Sequence, residues 1–189
     1  MNLYIKGNYL ESDKNAVAIV GSRITSRRGE KLAYKFAFEL AKNNITIISG
    51  LALGIDTVAH NACLAAGGRT VAVLAHGLDR IYPAANVGLA DEIIKSGCLI
   101  TKFKEGTTPF AKNFLARNQL IAGLSKAVLV IEGEKRSGSI STANHAANLG
   151  IEVFAVPGSP ATDWLIENGA NIANSPQDIL EYLKNSMLL

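Results

Sequence analysis

Residues 16–21, AVAIVG, run through Ser22-Arg23-Ile24-Thr25-Ser26 into residues 27–42, RRGEKLAYKFAFELAK, and this stretch decides the fold. An apolar run without polar alternation is a strand buried on both faces, and such strands belong to parallel sheets covered by helices. The segment after it has helical periodicity. Strand, glycine turn, helix is the repeating unit of a doubly wound α/β protein.

The same unit recurs outward from this stretch. Further strands are expected at 2–6, 45–49, 70–75, 98–103, 127–132 and 151–156, with helices at 55–66, 86–96, 111–123, 139–149, 161–168 and 176–185. The first strand is short and precedes a polar hinge, Glu11 to Asn15, so it reads as an edge strand. The expected fold is α/β: an extended Rossmann-like, mostly parallel sheet with helices on both faces, forming one domain over residues 1–189.

The totals agree with a folded chain: 48% of the 189 residues are hydrophobic and 19% charged. A net charge of +3 excludes a polybasic protein, so any anion site must be a local cluster. Cys63 and Cys98 match no metal spacing and read as buried residues in a reducing compartment. No apolar run approaches the roughly 20 residues of a membrane span, and the N-terminus lacks an apolar leader core. A cytoplasmic protein with no membrane partner is expected.

In such a sheet the ligand crevice lies beyond the carboxyl ends of the strands. Most of those ends here are Gly, Ser or Thr. Gly21-Ser22-Arg23 brings backbone close to a bound anion, Ser22 and Thr25 can cap the next helix, and Arg23, Arg27 and Arg28 offer forked contacts to phosphate. Basic residues there oppose the helix dipole and so need another reason. Ser49-Gly50 followed by Gly54-Ile55-Asp56 is a second such turn, and Asp56 with His60 reads as a structural pair. Ser137-Gly138-Ser139, with Ser141 and Thr142, puts several hydroxyl donors at a helix start, more than one cap needs. The stretch 108–125 interleaves Lys112, Phe114, Arg117 and Asn118, which is how single strands are held: charge on the backbone, a ring under a base. Phe114, Leu115, Ile121 and Leu124 could equally form a buried helix face. There is no GxxxxGK[ST] and no carboxylate pair for magnesium. Phosphate binding without hydrolysis, metal or cofactor is the expectation.

Together "LYIKGN", "VAIVGSR", "SGLALGIDTVAH", "AGGRTVAVLAHGLDRIYPAAN", "FLARNQLIAGLS", "VLVIEGEKRSGSISTANHAANLGIEVFAVPG" and "WLIENGA" resemble the DNA-processing protein A family (DprA, also called Smf) over nearly the whole chain. The resemblance implies a Rossmann-like fold that binds single-stranded DNA, dimerises and loads the recombinase RecA onto that strand, in transformation and recombination. It places DNA contacts at Arg23 and near Lys112, Phe114, Arg117 and Asn118, with backbone contacts from the glycine-rich turns. Against the family pattern, Thr101-Lys102 stands where Ser-Glu is typical, Gln119 where Arg is common and Asp163 where Asn is usual. The helical and winged-helix-like domains that members carry are not expected in this chain. The homodimer surface is expected in the C-terminal part, where Ile179, Leu180 and Leu183 share a face and Met187-Leu188-Leu189 follow.

Two other functions fit a phosphate crevice. One is a nucleotide sensor. The other is a nucleoside-monophosphate phosphoribohydrolase of the lysine-decarboxylase-like group, whose PGGxGTxxE signature is absent: Pro157-Gly158 is followed by Ser159-Pro160.

Overall fold

A computed structural model of the chain describes residues 2–186. Eight strands form one sheet: β1 Tyr4–Gly7, β2 Ala16–Val20, β3 Thr46–Ser49, β4 Thr70–Val73, β5 Cys98–Thr101, β6 Ala127–Val130, β7 Glu152–Ala155 and β8 Asn171–Ile172. The helices are α1 Arg27–Lys42, α2 Ile55–Ala65, α3 Val87–Ser96, α4 Ala111–Gly123, α5 Gly138–Asn148, α6 Pro160–Glu167 and α7 Pro176–Ser186. The spatial order is β1-β5-β4-β3-β2-β6-β7-β8, parallel throughout except for β1, which runs antiparallel to β5.

Strand β2 shows why an unbroken apolar run was needed. Val17 and Ile19 face the layer built by Phe36 and Leu40 of α1, Ile55 of α2 and Ile179 of α7. Ala16, Ala18 and Val20 face the opposite layer, with Ile121 of α4, Ile140 of α5 and Leu165 of α6. Successive side chains alternate between faces, so a strand covered on both sides has no polar position to offer. Helix α3 closes a third cluster, Leu51, Leu74, Ile93 and Leu99, over β4 and β5.

Three elements were not read from the sequence, one of them a 3-10 turn at Ala84–Asn86 that leads into α3. Strand β8 is only two residues long and pairs with β7 at Phe154↔Asn171 and Ala155↔Ile172. The polar hinge is a 3-10 turn, Glu11–Lys14, pinned rather than free. Its Asp13 is fully buried and accepts from Arg69 Nε and Nη2, both at 2.8 Å, from Thr46 Oγ1 at 2.9 Å and from Leu10 N at 2.7 Å. Burial would push this carboxyl up, but the bonds from Arg69, Leu10 and Thr46 outweigh it and hold it below its ordinary value. Cys63 and Cys98 are buried and unpaired, and burial pushes both thiols up to about 12. No helix among the described residues is long and apolar enough to cross a membrane. The terminal Met187-Leu188-Leu189 lies outside the described residues.

The chain turns left from β2 through β3 and β4 to β5, then returns with β6 on the other side of β2. The carboxyl ends of β2 and β6 therefore flank the point where the winding direction changes, which is where doubly wound sheets open a crevice.

Candidate functional site

A cleft of about 290 Å³ opens at that point. The loop after β2 forms one wall, α4 another, and the start of α5 its end. Of the residues expected from sequence, Gly21, Ser22, Arg23, Phe114, Arg117, Asn118, Ser137, Gly138, Ser139 and Thr142 all line it. Gly50 lines a smaller adjoining hollow with Arg23, Tyr82 and Phe114. Lys112 is exposed at the start of α4 and lines neither. Ser49 is fully buried, with its hydroxyl donating to Ile19 O at 2.6 Å, and so stiffens the strand ends beneath the cleft. Leu115 is 56% exposed, not part of the buried helix face that its spacing suggested.

The loop presenting Arg23 is held from three sides. Ser22 N donates to Glu132 O at 3.0 Å, Ile55 N donates to Ser22 O at 3.1 Å, and the Ser22 hydroxyl turns back onto Ile24. Gly54, at φ +80°, approaches Ser22 O so closely that a Cβ would overlap it. Arg23 itself is exposed, and its guanidinium lies 5.0 Å from the centroid of the half-buried Phe114 ring. Tyr82 meets the same ring edge-on at 6.2 Å, a partner that sequence reading missed because only the fold brings the Tyr82-Pro83 turn here.

The start of α1 corrects an expectation. Its cap is Ser26, not Ser22 or Thr25, and the position an anion would take is filled by the chain's own Glu132. That carboxylate accepts from Ser26 N at 2.8 Å and from the Ser26 hydroxyl at 2.6 Å, while Ser26 Oγ accepts from Gly29 N. An internal anion already complements the dipole there. Before α2 the buried Asp56 accepts from Gly50 N at 3.1 Å and Ala52 N at 3.3 Å, amides of the preceding loop, and the helix itself has no side-chain cap. Burial pushes the Asp56 carboxyl up, opposed by Arg117 and by these bonds. Asp56 does not pair with His60. Fully buried His60 meets Thr70 Oγ1 at 2.6 Å, and because Thr70 donates onward to Ile47 O, the His60 Nδ1 carries the proton. Burial, and secondarily Arg117, lowers His60 to about 3, so it is neutral in the core.

Arg117 is 5% exposed, and its guanidinium is engaged inside the protein. Nη1 donates to Gly50 O at 2.5 Å and Val73 O at 3.3 Å, and Nε donates to Asn118 Oδ1 at 3.1 Å. Asn118 Nδ2 then donates to Gly138 O at 3.1 Å. These two residues tie β3, β4 and α4 to the start of α5, which fits cross-linking of the floor better than forked contact to a strand. Burial lowers the Arg117 pKa, with Asp56 opposing. The start of α5 carries hydroxyls that do not cap it: Ser137 makes no side-chain cap, and its hydroxyl lies 2.6 Å from that of Ser139. Its free amides and hydroxyls face the cleft opposite Arg23, an arrangement suited to an anionic oxygen. Glu134 also lines the cleft. Among the described residues no group of three or more His, Cys, Asp or Glu could hold a metal.

The family model for DNA recombination-mediator protein A matches residues 1–184. Protein Smf of Escherichia coli is 42% identical over 189 residues, covering 96% of this chain and 50% of that protein. DNA processing protein DprA of Streptococcus pneumoniae is 42% identical over 184 residues, covering 94% and 65%. This chain therefore spans one half to two thirds of these relatives. The crystal structure of the S. pneumoniae protein superposes with a TM-score of 0.88 over 95% of this chain and 65% of that one. DNA processing protein A of Helicobacter pylori, whose structure was described for its single-stranded DNA binding mode, superposes with a TM-score of 0.89 at 32% identity, over 97% and 87%. The molybdenum cofactor binding protein of Rippkaea orientalis, at 18% identity and a TM-score of 0.66 over 91% and 96%, shares the fold. With its sheet order, its crevice and a match to nearly every residue, the chain belongs to the DNA recombination-mediator protein A family, the DprA/Smf proteins.

Proposed function

We propose that this chain binds single-stranded DNA in the cleft as a recombination mediator and performs no chemistry on it. The observation that carries this reading is the pairing, across one cleft, of an exposed Arg23 backed by Phe114 with the uncapped hydroxyl-rich start of α5. Arg23 and the α5 amides suit phosphate oxygens, and the cleft edge of Phe114 suits a base. The buried carboxylates support a non-catalytic reading: Asp56 is held by the Gly50 and Ala52 amides and Glu132 is bound to Ser26 at the start of α1, while the third, Glu134, is exposed at the cleft. Loading of RecA and a homodimer paired through the C-terminal part of the fold complete the proposal, on family membership. The likeness to the H. pylori protein supports the DNA component in particular.

The test is titration of a labelled oligonucleotide across a salt series, with mononucleotides as competitors. Affinity is expected to fall with salt, by about 0.7 in logarithmic slope for each phosphate contact. An affinity flat in salt, or mononucleotides competing as well as the polymer, would replace this reading with a nucleotide sensor. Turnover of ATP or nucleoside monophosphates that Asp56 or Glu132 substitutions abolish would replace it with an enzyme.

A further inference from the structure

Helix α1 has an outward face that neither its packing nor the cleft accounts for. Its buried side is Ala33, Phe36, Ala37 and Leu40. Opposite these, at helical spacing, lie Arg27, Lys31, Lys35 and Lys42, all exposed. Among the described residues none of these four forms an ion pair or a side-chain hydrogen bond. The acids of the helix sit at the edges of this stripe: Glu30 accepts from Thr25 Oγ1, and exposed Glu39, one turn from Lys35 and Lys42, bonds to neither. Beside the stripe Tyr34 is 46% exposed and stacks nearly parallel on Phe38, with centroids 5.8 Å apart and planes 16° apart. Arg27, Arg28, Lys31 and Leu32 border a shallow depression of about 430 Å³ at the end nearest Arg23.

We propose that this face is a second contact surface for single-stranded nucleic acid, onto which a strand runs after leaving the cleft at Arg23. The proposal rests on the reading of the cleft given above. A purely solvated helix face would intermix its charges, whereas here the outermost arc is cationic over a 16-residue helix, about 24 Å long at 1.5 Å per residue. An acidic protein would satisfy the lysines equally well, but the exposed Tyr34 ring, stacked on Phe38, adds a face that a base uses directly. A base stacks on such a ring whatever its identity. The loop that carries Arg23 leads directly into Arg27 at the start of this face, four residues further on.

The test compares an oligonucleotide of about five nucleotides, near the lower end of single-strand footprints, with one of about twenty. The protein is the full chain or its triple variant Lys31→Ala/Tyr34→Ala/Lys35→Ala. Only the stacking of Tyr34 on Phe38 is lost from the fold, so thermal melting should fall by no more than about 5 °C, confirming that the variant is folded. The variant is expected to bind the short strand like the parent and the long strand about tenfold more weakly. Its salt slope on the long strand should be shallower by about 1.4, two phosphate contacts at roughly 0.7 each. If the parent binds both lengths and the variant matches it at both, the α1 surface is refuted and the cleft reading stands. If the parent binds neither, the cleft reading fails and takes this proposal with it. Unchanged DNA affinity together with lost binding to polyglutamate would reassign the face to an acidic protein partner and overturn the proposal.

Discussion

At Gly50 the backbone passes so near Arg117 that a Cβ would overlap the guanidinium. Glycine is needed there for proximity, not for an unusual φ. Gly50→Ala should expel a buried, hydrogen-bonded cation, at a cost of about 3 kcal/mol. For a chain of this size that corresponds to a loss of about 10 °C in melting temperature, measurable by circular dichroism. Arg23→Ala should behave oppositely: an exposed side chain leaves melting nearly unchanged, while oligonucleotide affinity falls about tenfold. A large melting loss with unchanged affinity would make Arg23 structural. From sequence, both arginines carry the same chemistry, Arg23 in a glycine-rich turn and Arg117 beside Phe114 and Asn118, and both read as strand contacts. Nothing local distinguishes the exposed one from the buried one, because Arg117 is enclosed by Gly50 and Val73, residues from other strands.

At the scale of elements, buried strands and amphipathic helices were legible because their periodicity is a property of consecutive residues. Strand ends were not: residues expected in β4 and β5 beyond Val73 and Thr101 leave the ladder to build the loops around the crevice. Strand β8 escaped because two residues carry no period. The anion expected at the start of α1 proved to be Glu132, more than a hundred residues away, and no motif spans that separation. The Gly29–Glu132 contact is open to a double-mutant cycle. A Cβ on Gly29 would overlap the carboxylate, so Gly29→Ala should lose the Glu132 bonds to Ser26, about 2 kcal/mol against the roughly 1 kcal/mol that alanine gains in a helix. Glu132→Ala should also destabilise. The double variant should be more stable than the sum of the two by about 1 kcal/mol, because alanine then occupies the vacated space. Strict additivity in urea unfolding would show that the two do not interact.

Over the whole molecule, the proposed homodimer predicts a sedimentation coefficient of a pair at micromolar concentration. A clean monomer that still held long single strands tightly would remove the need for a partner copy. The sheet order has another consequence, which concerns the route by which the protein assembles. Residues up to Thr101 make β1 to β5, of which β2 to β5 follow one another in the sheet, whereas β6, β7 and β8 join that sheet along the β2–β6 ladder, supported by the packing of α7 on α1 and by the Arg117 and Glu132 bonds. That ladder joins Val17–Val20 to Ala127–Val130, a closure over a hundred residues long, and such distant pairings form slowly. The cleft straddles this join. It does not exist in either block, and comes into being only when the second has docked on the first. A strand bound there would touch both blocks at once, so the ligand would act as a staple that resists their separation.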